Sequence, residues 1–477
     1  MTIRLVLSCV GILIVWLAGW MIGFGSHLLV VYGGVGLVAA TWLAFRWPLI
    51  SVAFLLLSMG GYSIFQMTPG FEPNALLIGG GVSFQDAVMS GMLVAALLRM
   101  RSIRARLLMG RLLAPTVAFS SWLFLETIRN IPAVGISAPG ELRFRYLVLA
   151  APLCLVLALD GDRTVKAAMK MFTFIAVAVP IALAPTVLYL NGWTFGPAHR
   201  IFPAIVSLGI LLGLLTLWYC RSWVLWPKML LYPLTVLGGL EIVVDAHRSV
   251  WLAAIVAIGI LWVLDSRLKT IVRRLGLLLL GCFTATAIAA TTVLDVWSIV
   301  GERTNAVLTL QDTAMWREQV WRASLHYFYA SPLAGRGLGL YWATYVPEMN
   351  TTVELFPHSQ YVMVLVHLGL VGMVLLLWLG LEAWIACQRS AKSSASRVEA
   401  GGKTSELAKI GLAALGASAG FGVAYAFEPY SLTLVGICLA GAIRANLTRR
   451  DASARRPVVT SSRGADNRTR VPTEISV

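Results

Sequence analysis

The sequence predicts an all-α polytopic membrane protein of about fourteen transmembrane helices with one large outer loop, and three observations predict it. Apolar residues make up 58% of the chain and charged ones 13%, with a mean hydropathy of +0.80, so most of it cannot face water. Apolar runs of about 18 to 25 residues recur almost end to end, each long enough to cross roughly 30 Å as a helix. Their lack of alternation excludes barrel strands. Basic residues gather in every second connection, which orients the chain.

In order, the runs place helices over residues 5–24, 27–45, 48–65, 83–100, 107–127, 144–160, 168–190, 201–219, 229–245, 250–264, 275–296, 359–386, 406–426 and 430–446. The first resembles a signal peptide in having Arg4 before an apolar stretch. No A-x-A-like site follows, so it reads as an uncleaved helix. One set of connections carries Arg46; Arg99, Arg101, Arg104, Arg106 and Arg111; Arg163 and Lys166; Arg221 and Lys228; Arg267, Lys269, Arg273 and Arg274; and Arg389, Lys392, Arg397 and Lys403. That side is cytoplasmic by the positive-inside rule, and both termini fall on it. Residues 1–446 then form one membrane domain that includes the outer loop 297–358, and 447–477 form a basic, disordered cytoplasmic tail.

Much of the +16 net charge is therefore topological, and no aromatic-interleaved basic module points to nucleic acid. The cysteines Cys9, Cys154, Cys220, Cys282, Cys387 and Cys438 lie in apolar runs or at their edges and read as small core residues, not disulfides.

On the outer side every basic residue is arginine: Arg129, Arg143, Arg145, Arg200, Arg248, Arg303, Arg317, Arg322 and Arg336, while all seven lysines fall inside. A planar guanidinium donates two parallel hydrogen bonds and stays charged, which suits phosphate. In the outer loop, Asp312 or Thr313 can cap a helix to about Tyr329 that presents Trp316, Val320, Ser324 and Phe328 on one face. A helix of that composition would lie in the membrane interface. Pro332 ends it. Gly335-Arg336-Gly337-Leu338-Gly339 follows as a turn whose amides could approach a ligand; without a βαβ unit it is no dinucleotide site. His358 then stands where the chain re-enters the membrane, with an ordinary pKa suited to accepting a proton. Asp245, His247 and Arg248 make a tight outer hairpin, with Arg200 at another outer helix end. Asp245, Glu302, Glu318 and Glu354 could orient the histidine or bind sugar hydroxyls.

These residues resemble the O-antigen ligase and polymerase superfamily of bacterial envelopes. The likeness lies in the short-looped spans, the His247-Arg248-Ser249 hairpin, and a late outer loop. That loop reads Arg317, Trp321, Pro332-Leu333-Ala334-Gly335-Arg336-Gly337-Leu338-Gly339 and His358-Ser359, before a span with Gly369-Leu370-Val371-Gly372. Ser359 stands where the family commonly has asparagine, and His247 where it often has serine. The resemblance implies a fold similar to the C-type membrane glycosyltransferases. It also implies an undecaprenyl-diphosphate-linked oligosaccharide donor, with a glycan or lipid A core as acceptor, at the periplasmic face of the bacterial inner membrane. Catalysis falls to His358, Arg248 and Arg200, and substrate binding to Arg317, Arg322, Arg336, Gly337 and Asp245. No metal or cofactor is expected; the first outer loop, near Phe24 to Ser26, carries no acid that could hold one. The partners implied are the donor lipid, the acceptor, membrane lipids and other polysaccharide-assembly proteins. Polymerisation of exopolysaccharide or O-antigen units and ligation to lipid A core both remain open, with the two extra spans and the tail favouring the polymerase. A transporter or lipid-linked glycan flippase is the reading from another class. It is disfavoured because charges sit at helix ends and no internal repeat is visible.

Overall fold

The computed structural model describes residues 26–65, 84–135, 142, 146–190, 201–224, 226–245, 247–265, 313–339, 343–346, 351–354, 358–395, 401–425 and 428–454. The helices are α1 (Ser26–Arg46), α2 (Pro48–Phe65), α3 (Phe84–Met100), α4 (Ile103–Met109), α5 (Leu113–Val134), α6 (Ala150–Ala158), α7 (Asp162–Thr173) and α8 (Val179–Leu190). They continue as α9 (Ala204–Tyr219), α10 (Arg221–Val224), α11 (Lys228–Asp245), α12 (Arg248–Leu264), α13 (Thr313–Ala330), α14 (Gln360–Ala395), α15 (Gly401–Gly422) and α16 (Pro429–Ala454). Every expected span that falls on described residues overlaps a helix, whereas 5–24 and 275–296 lie outside them, as do Arg200, Glu302 and the tail beyond Ala454.

Among the described residues, four segments are long and apolar enough to cross a membrane: Ala105–Val134, Asp162–Tyr189, Gln360–Lys392 and Pro429–Leu447. Six shorter apolar helices accompany them. Large apolar side chains such as Phe124, Ile255, Trp262, Val263, Val374 and Leu377 point outward. In water such a surface would aggregate; in lipid it is the solvated face, and the molecule is an integral membrane protein.

The centre is built from α9, α15 and α16, most of whose residues over 204–219, 405–422 and 429–442 are buried. Without a hydrophobic drive between helices in lipid, close approach through small residues does the packing. Gly416 of α15 meets Val256 and Ile260 of α12, and Gly420 meets Ala253. The two helices are therefore antiparallel, and the end of α15 lies beside the start of α12. At the opposite end Tyr219 and Lys409 both bond the Asp265 carboxylate, Lys409 at 2.9 Å, and Ser222 donates to Glu406 at 3.1 Å. Between α7 and α8 a π-helical turn, Phe174–Ala178, faces Gly213 of α9.

Two features were not expected from the sequence. Ala343–Val346 and Thr351–Glu354 pair antiparallel as a short ribbon, a strand element among described residues that are otherwise mostly helical. The second is that α14 is broken at Gly369, which has φ 66 and ψ −167. Cys387 packs on Gly411 and Gln360 on Gly422. Those points are about 16 Å apart along α15 but about 40 Å apart along a straight α14, so the arm Gln360–Leu368 must fold back toward the bundle.

Candidate functional site

The start of α12 is built by its neighbours. Asp245 ends α11 buried, and its two carboxylate oxygens accept the Ile201 and Phe202 amides, each at 2.8 Å. His247 caps α12 and donates from Nε2 to the Phe202 carbonyl at 2.9 Å. The hairpin thus grips the chain just after Arg200, and Arg248 opens α12 half-buried. Sequence reasoning offered Asp245 as a sugar-hydroxyl ligand or histidine orienter; the structure engages its carboxylate with backbone at the start of α9.

His358 is exposed at the start of the folded-back arm, followed by buried Ser359 and Gln360. The Gln360 amide donates to the Tyr425 carbonyl at 3.0 Å, and Tyr361 Oη to the Ala419 carbonyl at 2.8 Å, so α15 holds the arm. Tyr425 is the residue that sequence reasoning missed. Its ring stacks on Phe421 with centroids 4.8 Å apart, meets His358 edge-on at 6.4 Å, and lies 5.7 Å from the Arg317 guanidinium carbon. It therefore brings Arg317 of α13 and His358 to one place, beside the α12–α15 crossing that carries Arg248. Only a tyrosine in a turn after an apolar helix marked it, a signal shared by many interfacial residues.

Glu428 completes that turn. It is buried and caps α16, accepting the Tyr430 amide at 2.7 Å and the Ser431 amide at 2.5 Å, with Pro429 at the first helical position. Burial pushes its carboxyl up from the ordinary 4.5 to about 7, opposed by the hydrogen bonds from Ser431 and Tyr430.

The glycine-rich turn has a different role from the one expected. Gly335, Gly337 and Gly339 all have positive φ, at 73, 85 and 82. The turn docks into the break of α14. The Arg336 amide donates to Val366 O at 2.7 Å and Gly337 to His367 O at 2.9 Å. In return Leu370 and Val371 donate to Pro332 O and Leu333 O, at 2.8 and 3.1 Å. A helix broken at Gly369 frees carbonyls and amides in an apolar setting, and the turn satisfies two of each. The Gly337 N–H, offered as a substrate-binding amide, donates here to His367 O, and a Cβ at that position would stand 2.4 Å from Asn130 Cγ.

Helix α5 holds the joint from the side. Asn130 Nδ2 donates to Arg336 O at 3.1 Å and Leu338 O at 2.7 Å, and Trp122 Nε1 to Leu368 O at 3.0 Å. Arg129 donates to Gly335 O at 2.8 Å and pairs with Glu126 at 2.6 Å, so this outer arginine has local partners. Arg336 is exposed, with its guanidinium 5.9 Å from the Tyr327 ring, and Arg322 is exposed on α13. Of the face expected on α13, Val320 and Ser324 are buried and Phe328 is half-buried. α13 packs on α14, so it is a docked helix as well as a surface one. Among the described residues no three of His, Cys, Asp and Glu group as metal ligands would.

Residues 233–377 match the family model described as O-antigen ligase, so this stretch of the chain is similar to that family. The match runs from within α11 to within α14 and includes Asp245, Arg248, Arg317, Arg322, Arg336, Gly337 and His358; α5 and Tyr425 lie outside it. No curated protein matches the chain.

Proposed function

We propose that the protein transfers an undecaprenyl-diphosphate-linked glycan to an acceptor hydroxyl at the periplasmic face of the inner membrane. The single observation that carries this is the Tyr425 junction, which places Arg317 and His358 together beside the helix end that carries Arg248. The O-antigen ligase match supports the glycan class, and the arginine-only outer set supports the phosphate. The full span count of about fourteen rests on the recurring apolar runs, and the Arg248 end as the periplasmic one on the charge bias of the connections.

In this reading the acceptor O–H is held at His358, which takes its proton as the oxygen attacks the anomeric carbon of the donor. The bond from that carbon to the diphosphate oxygen breaks, and its electron pair leaves on the diphosphate. Arg248, Arg317 and Arg200 supply the counter-charge as it develops, each well-aimed donor being worth about 3 to 4 kcal/mol. Base assistance adds roughly 10² to 10⁴ in rate. Arg322 and Arg336 lie farther along α13 and the turn, where they can hold the sugar or phosphate portions of donor or acceptor. Arginine takes the part of a divalent ion, so turnover is expected to survive EDTA.

The particular reaction we favour is polymerisation of exopolysaccharide or O-antigen repeat units, with ligation to lipid A core as the second reading, favoured by the description of the matching family. His358→Ala should abolish glycan product while binding of undecaprenyl diphosphate to the purified protein changes less than about twofold. Arg248→Lys keeps charge but loses the fork, and should lose more than the roughly 1 kcal/mol of an exposed ion pair. Wild-type product from both variants would refute the site. A lipid A core-linked product in place of free polymer would select the ligase.

A further inference from the structure

We infer that Trp122, Arg129 and Asn130 of α5 are positioning residues that set the angle of the arm carrying His358, an inference that rests on the transfer reading above. They hold the two segments that aim both His358 and Arg317. The turn 332–339 is the direct continuation of α13, which carries Arg317. The arm Gln360–Leu368 is the direct continuation of His358. Both end at the same joint, and the four backbone bonds across it join turn to helix but leave the pair's tilt against the bundle undetermined.

α15 fixes the His358 end of the arm through Gln360 and Tyr361, and α5 fixes its other end at the joint. Trp122 takes the Leu368 carbonyl, the last of the arm before the break. Arg129 and Asn130 take the Gly335, Arg336 and Leu338 carbonyls of the turn. The contact is tight as well as polar. Phe119 and Leu123 of α5 pack with Leu338, Val364 and Leu368, and Asn130 fills the space above Gly337 where a side chain would otherwise stand. A donor pattern matched to carbonyls of two chain segments that are over 200 residues away in sequence is more than packing needs. A misplacement of about 1 Å at the reacting groups can cost on the order of 10²-fold in rate, so the joint acts on turnover through distance from the chemistry.

The test uses the full-length protein in nanodiscs and in a host lacking its own copy. Asn130→Asp keeps the shape and removes both donors; Trp122→Phe keeps a ring and removes one. For each, glycan product is measured from the host's own lipid-linked pool, with undecaprenyl diphosphate as the binding probe and the melting midpoint as the control. Turnover is expected to fall about tenfold or more in Asn130→Asp and severalfold in Trp122→Phe. Binding of undecaprenyl diphosphate should stay within about twofold, and hydrogen exchange should rise at the Arg336, Gly337, Leu370 and Val371 amides. Asn130→Gln, which keeps the amide donors, should recover part of the loss. Wild-type turnover in both variants overturns the inference, and so does a parallel fall of turnover, probe binding and melting midpoint, which marks a purely structural role. If Asn130→Asp does not accumulate, Trp122→Phe decides alone. His358→Ala in the same host separates the two levels. Full product there removes the transfer reading and the inference with it, whereas loss of product there with wild-type α5 variants removes the inference only.

Discussion

Gly369→Ala is the sharpest perturbation the fold offers. Its φ of 66 with ψ −167 lies in a region open to glycine and costly to other residues, of order 1 to 3 kcal/mol. A Cβ there would stand 2.2 Å from Leu333 O and 2.5 Å from Gly335 N, and both are backbone atoms that no side-chain rotation can move. Relief requires the turn to leave the break and to give up the four bonds made by the Arg336, Gly337, Leu370 and Val371 amides. At about 1 kcal/mol net each, more for groups left unsatisfied in an apolar setting, the loss approaches 4 kcal/mol on top of any strain that remains. That is on the order of a thousandfold in the equilibrium between docked and undocked turn. The control is Gly380→Ala, in the same helix with nothing within 4 Å of its added Cβ, where alanine should be neutral or slightly stabilising. Detergent-solubilised protein is heated and the folded fraction followed by size exclusion, and glycan product is measured in cells. Gly369→Ala should melt several degrees lower and make little product, while Gly380→Ala matches wild type. Equal behaviour of the two variants would refute the argument that the turn and the broken helix depend on each other.

Tyr425→Leu removes the ring shared by Arg317, His358 and Phe421, and cation–π loss of about 0.5 to 2 kcal/mol predicts a fall in product of a few-fold to about thirtyfold, which Tyr425→Phe should largely avoid. Equal activity in Leu and Phe variants would show that the ring positions nothing. Asp245→Asn places an NH2 against one of the two amides the carboxylate now accepts. With hydrogen bonds to charged groups worth about 1.5 to 3 kcal/mol, the melting midpoint should fall, and an unchanged midpoint would contradict the anchor. Glu428 has a folded pKa raised above its unfolded value, so the folded state binds the extra proton between about 4.5 and about 7. Its contribution to stability should decline as pH rises through that window by about 3 kcal/mol and be flat above it. Thermal melts of wild type against Glu428→Gln from pH 4.5 to 8 read this directly, and parallel curves would count against a raised carboxyl.

Membrane architecture was legible because a bilayer imposes a one-dimensional rule: a run of apolar residues must be helical and about one bilayer long, whatever it packs against. Hence the expected spans on described residues all overlap helices, and α13 shows its buried face at Val320 and Ser324, where helical spacing put it. Arg317, Arg248 and His358 were likewise visible as residue types out of place in so apolar a chain. What could not be read was which groups meet. The glycines of 335–339 were expected to approach a ligand, because a sequence shows only that a turn permits close approach and not what approaches. The tertiary structure supplies Val366, His367 and Asn130 as the partners. Arg129 looked like any other outer arginine until Glu126 and the Gly335 carbonyl appeared beside it. Tyr425 carried only the weak mark of a tyrosine in a turn after an apolar helix. Hydropathy and charge are properties of single residues summed over a window, whereas a hydrogen bond between Asn130 and Leu338 depends on how several helices pack together. Only the folded chain could decide it, since the freed backbone groups of a broken helix in an apolar environment must find partners wherever the packing provides them.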